Sequence, residues 1–224
     1  MSSEEETMDQ KEMDRAHFNK TFTLQGRVFF PHLLEPVANR NGRMQYSILF
    51  AWNFTQNTQA TQELDKFLAE SKQKYFPTIP AQFFSNPIKK WGAYVRQDGK
   101  PNHEFLKDCY WLNAQSGADY PPPIVDQTRN PVMSKAEIYS GRNAVINLKF
   151  YKFDGEKKGL GVNLNAVMLM EGGEAIGGGS SVDVNTVFGD FAADMNSAPT
   201  TPAAPAQGQA WPPQGNNNNG NGFM

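Results

Sequence analysis

The sequence predicts a mainly β protein: a small five-stranded barrel carrying one amphipathic helix, with disordered ends. Three observations lead there. Five segments alternate apolar and polar residues with a period of two, one segment switches to helical period, and Gly, Pro and Asn punctuate the connections. A sandwich is the competing architecture for the same strands.

The elements follow in order. Residues 1–19 are acidic, polar and short of apolar periodicity, which predicts a disordered arm. A first strand is expected over 22–30, with Phe22, Leu24, Val28 and Phe30 on one face and Thr23, Gln25, Arg27 and Phe29 on the other. The loop PHLLEPVANRNG leads to a second strand over 43–52, with Met44, Tyr46, Ile48, Phe50 and Trp52 sharing a face. Over 58–75, Leu64, Phe67, Leu68 and Tyr75 recur at helical spacing until Pro77 ends the pattern. Residues 77–101 read as a loop, and 108–115 as a third strand. After the PPPIVD turn, a fourth strand over 138–153 and a fifth over 160–170 form a hairpin through DGEKKG. Leu160, Val162, Leu164, Ala166, Met168 and Met170 are its expected inner face. The domain thus spans 20–190, followed by a Pro-, Gly- and Asn-rich disordered tail over 191–224.

Composition narrows the function. The lone cysteine, Cys109, excludes an intrachain disulfide, and the start of the chain lacks the basic and apolar regions of a signal peptide. No apolar run is long enough to span a membrane. The net charge of −2 conceals segregation. Residues 1–14 carry six acidic residues against Lys11, residues 15–170 carry 20 Lys and Arg against 12 Asp and Glu, and residues 171–224 carry five acidic residues and no basic one. A basic body between acidic ends is the footprint of a polyanion binder, the plain alternative being a solvated surface of mixed sign.

No phosphate-loop, zinc-protease or serine-hydrolase motif occurs, and His17, His32, His103 and Cys109 lack metal-ligand spacing. The expectation is therefore no enzyme, no catalytic residue, no metal and no cofactor. A binding surface is better supported, because single strands are gripped by aromatic rings that stack on bases and by cations that meet phosphates. Three segments interleave the two. The outward face of the fourth strand offers Tyr139, Asn143, Lys149 and Tyr151, with Arg142 at its entry. The 77–101 loop offers Lys89, Lys90, Trp91, Tyr94 and Arg96. The first strand offers Arg27 and Phe29, with Arg43 opening the second. Trp111, on the Cys109/Trp111/Asn113 face of the third strand, is a further candidate, although it suits the core better than a stacking role; a second layer of core is the competing reading for Phe29 and Tyr151, and anchoring of the loop onto the barrel for Trp91.

The stretches FFPHLLEP, WLNAQS, PPPIVD, EIYSG and KFYKF…KKGLGVNLNAVMLMEGGE, in that order over about 20–190, resemble a family of phage-encoded single-stranded DNA-binding proteins with an oligonucleotide-binding (OB) fold. The resemblance implies an OB-fold-like barrel that binds single-stranded DNA without sequence preference in phage replication or recombination, in the cytoplasm of the infected bacterial host. It carries over the strand after IYSG and the basic residues around it. The helix falls after the second strand, whereas the usual OB helix lies between the third and fourth. The tail ends in Asn-Gly-Phe-Met, so partner proteins of replication or recombination are expected to dock upstream, within 183–224 around DVNTVFGDFAAD. The alternatives are a phage structural or scaffold β-sandwich and an RNA-binding OB protein.

Overall fold

The computed structural model describes residues 3–96, 99–155 and 157–176. In chain order its elements are α1 (Ser3–Phe18), β1 (Thr21–Ala38), β2 (Met44–Asn53), α2 (Thr58–Tyr75), β3 (Phe84–Ser85), β4 (Lys89–Lys90), β5 (Cys109–Gly117), β6 (Ile124–Val125), β7 (Asn143–Asp154) and β8 (Lys158–Leu169). β1 pairs antiparallel with both β7 and β2, β2 with β5, and β7 with β8. A parallel contact of Gln115 with Asn163 joins β5 to β8 and closes a ring of five strands, so the body is a barrel and not a sandwich.

Alternate residues fill the barrel, among them Leu24, Val28, Phe50, Leu112, Ile146 and Leu148, all fully buried. α2 occupies the segment where the period changed, between the second and third long strands, and seals one end of the barrel with Leu64, Phe67 and Leu68. The indole of Trp52 crosses that junction and donates a hydrogen bond of 3.0 Å to the Thr61 hydroxyl, so its buried N–H is satisfied.

Four expectations are corrected. β1 does not stop at residue 30: it runs to Ala38, with irregularities between Phe29 and His32 and between His32 and Val37 that accommodate Pro31 and Pro36. Phe30 sits at φ 48° and is 49% exposed, because the bulge turns it out of the barrel. Residues 138–142 precede β7 instead of belonging to it. Gly141 breaks the strand at φ 97°, and a Cβ there would collide with the Glu174 carbonyl. In β8 the register shifts so that Asn147 faces Ala166 while Leu148 faces Leu164. Asn165 is the extra residue, and it flips the alternation: Val167 and Leu169 are buried, and Ala166, Met168 and Met170 face outward.

The fourth correction concerns the N-terminal arm. Ser3–Phe18 is helical, and its last turn is docked. The His17 ring stacks on Phe67 at 4.6 Å and its Nε2 is 2.8 Å from the Ser71 hydroxyl, while Phe18 packs on Tyr75 and Asp14 pairs with Lys152. Helical propensity in a run with four Glu and two Met suffices for a helix once one end has an apolar seat. The tail over 191–224 lies outside the described residues.

His17 gives this docking a pH dependence. Burial holds its pKa below the ordinary 6.5, reinforced by Lys74 and Lys20 and opposed by Glu70 and Asp14. Undocked, the ring takes up its proton at higher pH than when docked, so docking weakens as pH falls from about 6.5 through the lower docked value. Amide hydrogen exchange over residues 11–18 should therefore speed up below pH 6.5 relative to α2, and His17→Gln should remove that difference.

Candidate nucleic-acid interface

β5 and β8 pair at a single register, and on the Cys109 and Lys158 side of that contact other strands take their partners. The segment after α2 supplies them: β3 adds to β8 at Lys158 and Gly159, and β4 adds to β5 at Tyr110 and Trp111. Gly159 permits the first approach, since a Cβ there would stand 2.4 Å from the Ser85 carbonyl oxygen.

An open groove of about 1150 Å³ runs along this insertion, lined by Lys89, Lys90, Lys157 and Lys158 together with Phe83, Phe84 and Tyr94. Among the described residues no Asp or Glu lines it. Phe83 is 68% exposed, an unusual position for so large an apolar ring unless something covers it. The Lys89 ammonium lies 5.5 Å from the Tyr94 ring, and Lys90 approaches the rings of Phe54 and Tyr110 at 5.3 and 5.7 Å. Burial pushes the Lys89 pKa below the usual lysine value. Among the described residues no carboxylate reaches Lys89 at ion-pair distance, whereas Lys158 pairs with Asp154 at 3.0 Å. A partly desolvated cation without a counter-ion gains more from an incoming phosphate than a fully hydrated one does.

The outward side of β7 adds a second strip. The Tyr151 ring lies across Gly161, where a Cβ would clash with it, and its hydroxyl accepts a 2.8 Å hydrogen bond from the Gln115 side chain. Lys149 stands opposite Asn163 on the same face, and Phe153 is 6.5 Å from Tyr151. Tyr151 is half-buried, so one face of the ring packs on the sheet.

Other expected site residues serve the fold. Phe29 and Trp111, 1% and 3% exposed, form a second core with Ala51 and Leu106 on the outside of the barrel. A strap formed by 91–96 and 99–107 covers them, so in this structure neither can stack on a base. Trp91 and Tyr94 pack against that cluster from the strap itself, and Arg96 is 3.3 Å from the His103 ring. Arg27 donates from Nε to the Gly141 carbonyl and from Nη2 to that of Glu174, both at 3.0 Å. Tyr139 donates to the Gly172 and Gly173 carbonyls and accepts from Arg142, while Asn143 donates to the Glu171 carbonyl. These four residues hold 171–176 against the barrel. Arg43 stands apart, exposed at the β1–β2 turn.

Phe83, Phe84, Lys157 and Lys158 escaped the sequence reading. The adjacent phenylalanines between prolines in IPAQFFSNPIKKW were a usable signal, whereas the two lysines read as ordinary hairpin-turn residues. Among the described residues no group of three or more His, Cys, Asp or Glu is placed to hold a metal, and no helix is long and apolar enough to cross a membrane. The expected partner-docking stretch within 183–224 lies outside the described residues.

A family model described as Enterobacter phage Enc34, ssDNA-binding protein, matches residues 19–197. No curated protein matches the chain. Among solved structures, the single-stranded DNA-binding protein from bacteriophage Enc34 in complex with ssDNA is similar at a TM-score of 0.58 and 18% identity, over 71% of this chain and 90% of that one. The same phage's protein in a second structure is similar at a TM-score of 0.57 and 17% identity, over 76% and 90% of the two chains. At such identity the likeness speaks for the barrel fold.

Burial separates the two kinds of aromatic residue. Phe29→Ala should lower stability by about 3–5 kcal/mol in chemical denaturation, as for a filled core position. Phe83→Ala should leave stability within about 0.5 kcal/mol.

Proposed function

This chain belongs to the family of the Enterobacter phage Enc34 ssDNA-binding protein, and from that membership we infer that it coats single-stranded DNA through the lysine groove and the Tyr151 strip. One observation carries the placement: four lysines and the exposed Phe83 line one groove, with no carboxylate among its described lining residues. Phosphates would meet Lys89, Lys90, Lys157 and Lys158, while bases would stack on Phe83 and the free face of Tyr151, with Lys149 beside it. Such contacts read the backbone and the π-face, which every nucleotide has, so the grip is independent of sequence. The role is non-catalytic: protection of single strands during phage replication or recombination, in the cytoplasm of the infected host. Residues 20–190 form the binding domain on this reading and 191–224 the tail, and replication or recombination proteins are met through residues 183–224. The sharply acidic first 14 residues would compete with DNA for the basic body.

Fluorescence titration with oligo-dT against duplex DNA at two salt concentrations is the test. A labelled oligo-dT should gain fluorescence anisotropy on binding and a labelled duplex should not; the absence of any gain would favour a scaffold protein. Phe83→Ala and Tyr151→Ala should each weaken oligo-dT binding by about 1–3 kcal/mol. Lys157→Ala should reduce the slope of log K against log salt by about 0.7. Equal competition by an RNA of the same sequence would shift the reading to an RNA-binding protein.

A further inference from the structure

Tyr120 is 75% exposed, more than Phe83, and neither the groove nor the Tyr151 strip includes it. It sits in the turn after β5, on a mount stiff enough to hold an uncovered ring in place. Its N–H donates to the Gly117 carbonyl at 2.9 Å, and the Ser116 hydroxyl donates to the Tyr120 carbonyl. Pro121, Pro122 and Pro123 follow, which restricts Tyr120 to extended backbone and fixes φ at the next three residues; Pro122 is buried. The ring lies against Gly117, where a Cβ would stand 3.7 Å from the Tyr120 Cδ2. Leu112 and Ala114 point into the barrel, so Gly117 shares the outward face of β5 with Gln115, and the Tyr120 ring lies on that face.

We propose that Tyr120 is a further stacking station for the bound strand, which runs from the lysine groove over Tyr151 and along the β5–β8 seam to this turn. This course rests on the reading of the chain as a single-stranded DNA-binding protein and deepens it, because it gives the strand a direction and a far end.

Three points along β5 define the course. Lys89 and Lys90 of the groove pair with Trp111 and Tyr110, Gln115 holds the Tyr151 hydroxyl, and Gly117 carries the Tyr120 ring. β8 runs parallel beside it, from Lys158 in the groove through Gly161 under the Tyr151 ring to Asn163, opposite Gln115. The contacts therefore follow one line, and Trp111 to Gly117 spans about 20 Å. Gln115 and Gly117 are about 7 Å apart, the rise of two stacked nucleotides.

The chemistry of the turn favours a base over a phosphate. Asp119, the exposed residue before Tyr120, repels a phosphate, whereas the uncharged π-face of a base stacks on the phenol. Arg43, exposed and two residues before the Gln45 that pairs with Gly117, supplies a cation for the backbone beyond that base. An exposed tyrosine also suits a protein contact. Its place in line with the groove and Tyr151 favours the DNA.

Anisotropy titrations with a labelled oligo-dT of about 12 nucleotides, a length within the range of one OB fold, are to compare the full chain with Tyr120→Ala, Tyr120→Phe and Lys157→Ala at two salt concentrations. Tyr120→Ala should weaken binding about tenfold, the scale of one stacked base, and leave the salt slope unchanged. Tyr120→Phe should bind as the native chain does, and all variants should keep the native denaturation midpoint. In Tyr120→Trp, oligo-dT should quench emission beyond any change seen in the native chain. Binding by Tyr120→Ala within about twofold of the native chain would overturn the proposal; a lowered salt slope in Lys157→Ala would then leave the groove standing. Equal losses in Tyr120→Ala and Tyr120→Phe would overturn it too, because the hydroxyl and not the ring would make the contact. So would a Tyr120→Trp emission that oligo-dT leaves unchanged. No gain in anisotropy with any of these chains would remove the DNA-binding reading itself.

Discussion

The barrel is closed by a single contact, Gln115 against Asn163, and much of the candidate interface depends on how little that contact closes. A ladder running the full length of β5 and β8 would leave no room between them for another segment. With only one register joined, the free edges of both strands need hydrogen-bond partners. Two-residue strands from the 81–94 segment supply them, and their insertion brings Lys89 and Lys90 to the same groove as Lys157 and Lys158. The incomplete closure and the lysine groove are therefore one feature. The Gln115 side chain also holds the Tyr151 hydroxyl, which ties the second strip to the same seam.

The outer face of the barrel is divided by the strap. Under it, Phe29 and Trp111 form a dry cluster, and at its start lies the groove. Burying two large rings on the outside of a small barrel stabilises the strap against the sheet, on the order of 2 kcal/mol or more per ring. It also holds groove side chains such as Tyr94 on a packed base instead of a free loop. The knot of Arg27, Tyr139, Arg142 and Asn143 does similar work for 171–176, turning side chains that looked like phosphate ligands into anchors for backbone carbonyls.

Several features were legible before any coordinates because they rest on local periodicity. The bounds of α2, the inner faces of β2 and β7, and the β7–β8 hairpin all follow from alternation and spacing, which need no knowledge of partners. The misreadings share a cause. A bulge is invisible to a period-two pattern, which puts Phe30 with Phe22, Leu24 and Val28 and counts Met168 and Met170 as core, whereas the irregular register sends each of them out. The acidic N-terminal run looked too polar to order, but the decisive contacts are three residues at its end meeting α2 and β7.

By itself the sequence determined the mainly β class, the single amphipathic helix, the basic body between acidic ends and the resemblance to phage single-stranded DNA-binding proteins. Composition and periodicity are properties of the chain, and they survive any arrangement of it. Only the tertiary structure decided which aromatic and basic residues share a surface. Arg27 and Lys149 read alike in a sequence, and so do Phe29 and Phe83. What separates them is whether another segment arrives to cover the ring or to take the cation's hydrogen bonds, and that depends on partners more than 50 residues away.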